Sequence, residues 1–209
     1  RMLEPPSPIG LTVDEVARHS FTTPTPPEGA PNIVIVLLAD VGFAATSTFG
    51  GLVPTPELDR LAEAGLRYNR FHTTAICSPT RAALLTGRNA HAAGVGAVLN
   101  SAQPYRGRAG LLTKETATIA EVLKQHGYAT AAFGKWHLTP DHEASPAGPF
   151  DRWPTGVGFE TFYGFLGGET HQFEPTLFEG TQSVSRPPGE NYHVTSDLAD
   201  RAIEWVGLQ

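Results

Sequence analysis

Cysteine occurs once in the 209 residues, as Cys77, so no disulfide can close within the chain. Charged side chains are scarce, at 17%, and 15 basic against 21 acidic residues give a formal net charge of −6. That balance excludes a general polyanion binder, and nucleic acid is not the expected partner. No apolar run approaches the roughly 20 residues of a membrane-spanning helix; the longest covers residues 33–39, and no membrane association is expected. The opening residues, Arg1-Met2-Leu3-Glu4-Pro5-Pro6, lack the apolar centre of a secretory leader. The expected compartment is therefore the cytoplasm, with periplasm and exterior open to a chain whose leader has been trimmed.

What is present points to a folded α/β protein. Hydrophobic residues make up 40% of the chain, too many for disorder, and 22 glycines with 18 prolines promise many loops. Residues 1–30 are Pro-rich, without apolar periodicity, and read as an arm lying over a domain that occupies residues 31–209. Residues 33–38 (Ile-Val-Ile-Val-Leu-Leu) form a continuous, β-branched run, the pattern of a strand buried on both faces. The run ends at Asp40-Val41-Gly42, and in open α/β sheets ligands bind beyond the carboxyl ends of strands. A helix is predicted over 56–65, a strand over 66–71, and a second helix opening at Cys77-Ser78-Pro79 with Ser78 as its cap. A third helix over 116–126 leads into a strand over 128–133 that ends at Gly134-Lys135-Trp136-His137. Residues 139–192 read as long loops, and 196–206 as a final helix. The alternation predicts a parallel-rich sheet flanked by helices.

Three of these junctions bring chemistry to one edge of the sheet. Asp40 follows the first strand, Cys77 and Arg81 open a helix, and Lys135 and His137 follow a later strand. A helix N-terminus offers unpaired N–H groups and the positive end of the dipole, so it can hold an anion. Arg81, one turn from Cys77, can point at the same anion. Taken alone, Cys77 reads as readily as an inert buried thiol, Lys135 as a solvated loop cation and Asp40 as a turn residue.

The segment Cys77-Ser78-Pro79-Thr80-Arg81, followed by Leu85-Thr86-Gly87-Arg88, resembles the sulfatase signature C-x-P-x-R…L-T-G-R. Gly134-Lys135-Trp136-His137 resembles the G-K-W-H segment of the same family. Residues 31–43 resemble its first strand and metal loop, and Tyr68-Asn69-Arg70-Phe71-His72-Thr73-Thr74 is like a run of bacterial arylsulfatases. The resemblance implies the catalytic domain of an alkaline-phosphatase-like α/β fold that hydrolyses small sulfate esters. It implies that a separate maturation enzyme oxidises Cys77 to formylglycine, whose hydrated aldehyde attacks sulfur and later releases sulfate. Arg81 would hold the diol, Lys135 would bind sulfate and the diol oxygen, and His137 would hydrogen-bond the diol. One Ca²⁺, with Asp40 and the modified Cys77 among its ligands, would polarise the ester.

Two departures qualify that resemblance. Sulfatases carry two adjacent aspartates at the metal loop, whereas this chain reads Leu38-Ala39-Asp40. Alanine donates no oxygen, so weakened Ca²⁺ binding is expected. Family members also continue well beyond this length, and their Asp-Asn pair, second histidine and second lysine have no counterpart before Gln209. The chain is accordingly expected to be truncated on its C-terminal side, to be inactive alone and to self-associate through uncovered apolar surface. His171 and His193 read as surface histidines that could at most border a substrate loop. A phosphonate or phosphate monoester hydrolase is the nearest alternative activity. A non-catalytic protein that binds sulfate esters is the alternative from another class.

Overall fold

The computed structural model describes residues 23–209. The first 22 residues of the predicted arm lie outside that range. The rest of the arm is irregular and exposed, and Pro24 and Thr25 lie against Gly127, where a Cβ would come within 2.4 Å of the Pro24 carbonyl oxygen.

Four helices are formed among the described residues: α1 Pro56–Ala64, α2 Cys77–Thr86, α3 Ile119–Gln125 and α4 Val194–Gly207. Each follows from local signals. Proline opens α1, where a missing N–H costs nothing. Gly87 closes α2 with φ 64°, a conformation cheap only for glycine, and its N–H caps the Ala83 carbonyl. A capping box starts α3: Thr118 accepts from the Glu121 N–H, and the Glu121 carboxylate accepts from the Thr118 N–H. The helix therefore begins at 119 and not at 116. Ser78 is not the cap of α2. Ile76 takes that position, Cys77 is the first helical residue, and Ser78 is buried one residue further in.

The sheet is mixed. β1 Ala131–Lys135 pairs in parallel with β2 Thr161–Phe165, and β3 Leu177–Glu179 and β4 Gln182–Val184 continue antiparallel in the order β1-β2-β3-β4. Three of these strands fall inside residues 139–192, which the sequence alone presented as loops. Gly134 and Gly164 are register partners across β1 and β2. A Cβ on Gly164 would fall 2.1 Å from the Gly134 carbonyl oxygen, so the backbones meet more closely than any side chain permits.

Two expected strands are absent. Residues 33–38 and 66–71 have no ladder partner among the described residues. Their apolar side chains stand in solvent, Val34 at 78% and Leu66 at 82% exposure. A β-branched run favours the extended form, but strand hydrogen bonds need a neighbour, and composition does not supply one.

The core lies under the sheet and around the segment after β1. Trp153, Phe162, Leu138, Val95, Ala82, Trp136 and Phe178 share one cluster. Trp136 donates to the Arg152 carbonyl at 3.2 Å, and so does the Thr139 hydroxyl at 2.9 Å. The chain just past β1 is thereby held from both sides. A smaller cluster joins Tyr163, Leu177 and Val194.

Above that smaller cluster, buried Asp197 accepts from the Tyr163 hydroxyl at 2.7 Å and the Tyr192 hydroxyl at 2.9 Å. Burial first, and then the bond to Asp197, push the Tyr163 phenol up from 10.0 to about 12. The fold thus favours the neutral phenol, and the resulting stability is complete below pH 10 and lost as pH rises through 12. Thermal midpoints of the parent and Tyr163→Phe should converge across that alkaline window. A constant gap between them would refute the assignment.

Candidate active site

Cys77, Arg81, Lys135 and His137 meet where the start of α2 faces the end of β1. Arg81 Nη1 donates to the Lys135 carbonyl oxygen at 2.5 Å, tying helix to strand. His137 Nδ1 lies 3.2 Å from Cys77 Sγ, and its Nε2 lies 3.2 Å from Asn100 Oδ1. His137 is itself tied to the sheet, its backbone N–H donating to the Leu166 carbonyl at 3.0 Å.

Asp40 enters the same corner, near enough for its charge to act on Arg81. Among the described residues, only Asp40 and His137 are non-glycine residues with positive φ, at 58° and 55°. A left-handed backbone at such residues costs roughly 1–2 kcal/mol each and persists where the surroundings over-determine it. Both strained positions fall on residues singled out by the sequence.

The electrostatics are those of a pocket short of negative charge. Burial pulls the Arg81 guanidinium below its ordinary value, while Cys77 and Asp40 pull it back. Burial also lowers His137 from 6.5 to about 4, helped by the Lys135 and Arg81 cations and opposed by Asp141. The imidazole is therefore neutral at physiological pH. Arg81 Nε is buried and has no hydrogen-bond partner among the described residues. A buried guanidinium N–H left unpaired costs roughly 1–3 kcal/mol, a cost an incoming anionic oxygen removes.

Calcium fits these residues poorly. Ca²⁺ takes six to eight oxygen ligands. The carboxylates whose charge reaches this corner are Asp40, acting on Arg81, and Asp141, acting on His137, and Ala39 beside Asp40 has no side-chain oxygen. No group of three or more His, Cys, Asp or Glu side chains converges among the described residues. This donor set does not make up a Ca²⁺ site.

Two residues at the pocket escaped the sequence reading. Asn100 sits in the 3₁₀ turn Leu99–Ser101, inside a stretch with no motif. Gly168 covers the His137 ring, and a Cβ there would come within 2.7 Å of Cε1. The Gly167-Gly168 pair was the available signal for such a close approach. His171 and His193 are not at the pocket's hydrogen bonds. The Nδ1 of His171 accepts from the Phe173 and Glu174 N–H groups, and that of His193 caps α4.

Comparison with known proteins agrees with the motif reading. The Sulfatase family profile matches residues 31–209. The arylsulfatase of Klebsiella aerogenes is 36% identical over 153 residues, covering 72% of this chain and 31% of that protein. Human arylsulfatase A is 39% identical over 138 residues, covering 64% of this chain and 25% of that protein. The crystal structure of Ps i-CgsB superposes with a TM-score of 0.62 at 26% identity, covering 80% of this chain and 39% of that one. The PsFucS1 sulfatase from Pseudoalteromonas sp. superposes with a TM-score of 0.59 at 21% identity, a likeness of fold. The chain thus spans well under half of each of these proteins. No helix among its described residues is long and apolar enough to cross a membrane. With the signature segment, the profile match and the shared alkaline-phosphatase-like α/β fold in agreement, this chain belongs to the sulfatase family.

Proposed function

We propose that this chain carries the nucleophile side of a sulfate-ester hydrolase, with residue 77 as the attacking residue. The observation that carries the reading is the convergence of Cys77 with Arg81, one helical turn away, and His137, at 3.2 Å, beside Lys135, whose charge reaches the His137 ring. Oxidised to formylglycine by a maturation enzyme, residue 77 would supply one hydroxyl to attack sulfur and another to expel sulfate.

The chain's own groups then have separable tasks. Arg81 Nε–H, without a partner among the described residues, is free to donate to an anionic oxygen. Lys135 adds a second cation, and Arg81 acts the more strongly because burial removes water that would screen it. The first turn of α2 adds the positive end of its dipole at residue 77. His137, neutral and wedged between residue 77 and Asn100, holds a hydrogen bond to the nucleophile.

Two measurements on the full-length protein test this. Peptide mass spectrometry should find an aldehyde in place of the Cys77 thiol when the protein is made beside a maturation enzyme. The kcat/KM for a nitrophenyl sulfate should exceed that for the matched nitrophenyl phosphonate. A preference for the phosphonate would move the protein to the neighbouring ester class, and failure to turn over either ester would end the hydrolase reading.

A further inference from the structure

His137 is held on three sides by groups of fixed chemistry. Its Nδ1 faces Cys77 Sγ, its Nε2 faces Asn100 Oδ1, and Gly168 lies over the ring. An amide oxygen only accepts, so the ring nitrogen facing it must carry hydrogen. A neutral imidazole carries a single N–H. Placing it on Nε2 leaves the Nδ1 lone pair directed at residue 77.

We propose that Asn100 is a positioning residue which fixes the Nε2–H tautomer of His137 and so presents a proton acceptor to residue 77. An S–H or O–H on residue 77 then donates to Nδ1, and the ring can receive that proton as the nucleophile engages. The opposite tautomer would aim an N–H at residue 77 and could take nothing from it. This deepens the hydrolase reading and depends on it for the kinetic consequence; the tautomer stands on geometry alone.

Asn100 is itself exposed, so its placement needs an anchor, and Leu99 provides it. Leu99 is buried with Ala82, Val95 and Leu112. Its backbone N–H donates to the Ser78 hydroxyl at 3.4 Å. The turn is closed by the Ser101 N–H on the Val98 carbonyl and the Ala102 N–H on the Leu99 carbonyl. Ser78 adjoins Cys77, so one hydroxyl registers the residue-77 end of α2 against the turn that carries Asn100. Buried Ser78, unneeded as a helix cap, has this task instead.

The test uses the full-length protein with ¹⁵N-labelled histidine, at mildly alkaline pH where the ring is neutral in every variant. His137 signals are identified by their loss in His137→Gln. The parent should show the Nε2–H tautomer. Asn100→Asp, which keeps an oxygen acceptor, should retain that signature, whereas Asn100→Leu should populate Nδ1–H. In Asn100→Leu, kcat for the sulfate ester should fall about tenfold, the worth of one hydrogen bond, with KM little changed. An Nδ1–H ring in the parent, or an unchanged tautomer in Asn100→Leu, would overturn the proposal. A locked tautomer in a protein that hydrolyses no sulfate ester would instead sink the functional reading and leave this one standing.

Discussion

Cys77→Ala in the full-length protein should lower sulfate-ester kcat by at least roughly three orders of magnitude, the scale seen when a nucleophile is deleted. The argument is one of chemistry and not of folding. Cys77 is the first residue of α2, and its side-chain hydrogen bond is to His137 Nδ1. Alanine is the best helix former and leaves no charge behind, so thermal stability should hold within about 0.5 kcal/mol. Arg81 and Lys135 stay in place to bind the anion, so KM should change far less than kcat. Steady-state kinetics beside a melting curve separates these outcomes. Turnover within tenfold of the parent would remove residue 77 from the nucleophile's role, whatever its modification.

The largest effect on stability is expected from Trp153→Ala. Trp153 is wholly buried, meets Phe150 and Phe178 edge-on at 5.2 Å each, and donates from Nε1 to the Glu143 carbonyl at 2.8 Å. Truncation removes the apolar area, opens a cavity and orphans that carbonyl, for a loss of roughly 3–5 kcal/mol. In a domain of this size that lowers the thermal midpoint by about 10 °C. The damage should reach the pocket, because the preceding Arg152 carbonyl receives both Trp136 and Thr139 and so holds the chain just past His137. Calorimetry with sulfate-ester kinetics would detect both. A midpoint lowered by less than about 3 °C would mean that the core closes over the gap.

The helices were legible in the sequence because their signals are local. Pro56, Gly87 and the spacing of Leu198, Ala202 and Trp205 specify ends and faces without reference to the rest of the chain. The start of α3 could have been read from Thr118 and Glu121 three residues apart, a capping pair that the expected start at 116 passed over. Sheet membership is a property of pairs. Residues 33–38 have a strand's composition and no ladder among the described residues, while β2 contains a glycine and is paired on both sides, Gly164 lying against Gly134 with no room for a side chain. At the pocket, residues 77, 81, 135 and 137 were legible as chemistry carried on strand and helix ends. Asn100 was not, since nothing in a surface turn records which ring it will face after folding.

The hydrogen bond from Arg81 ends on the peptide oxygen of residue 135 and not on its ammonium. That tie is indifferent to whatever the residue carries beyond its Cα. One of the pocket's two cations can therefore be neutralised without unseating the other, and the work of binding an anion can be apportioned between them one charge at a time.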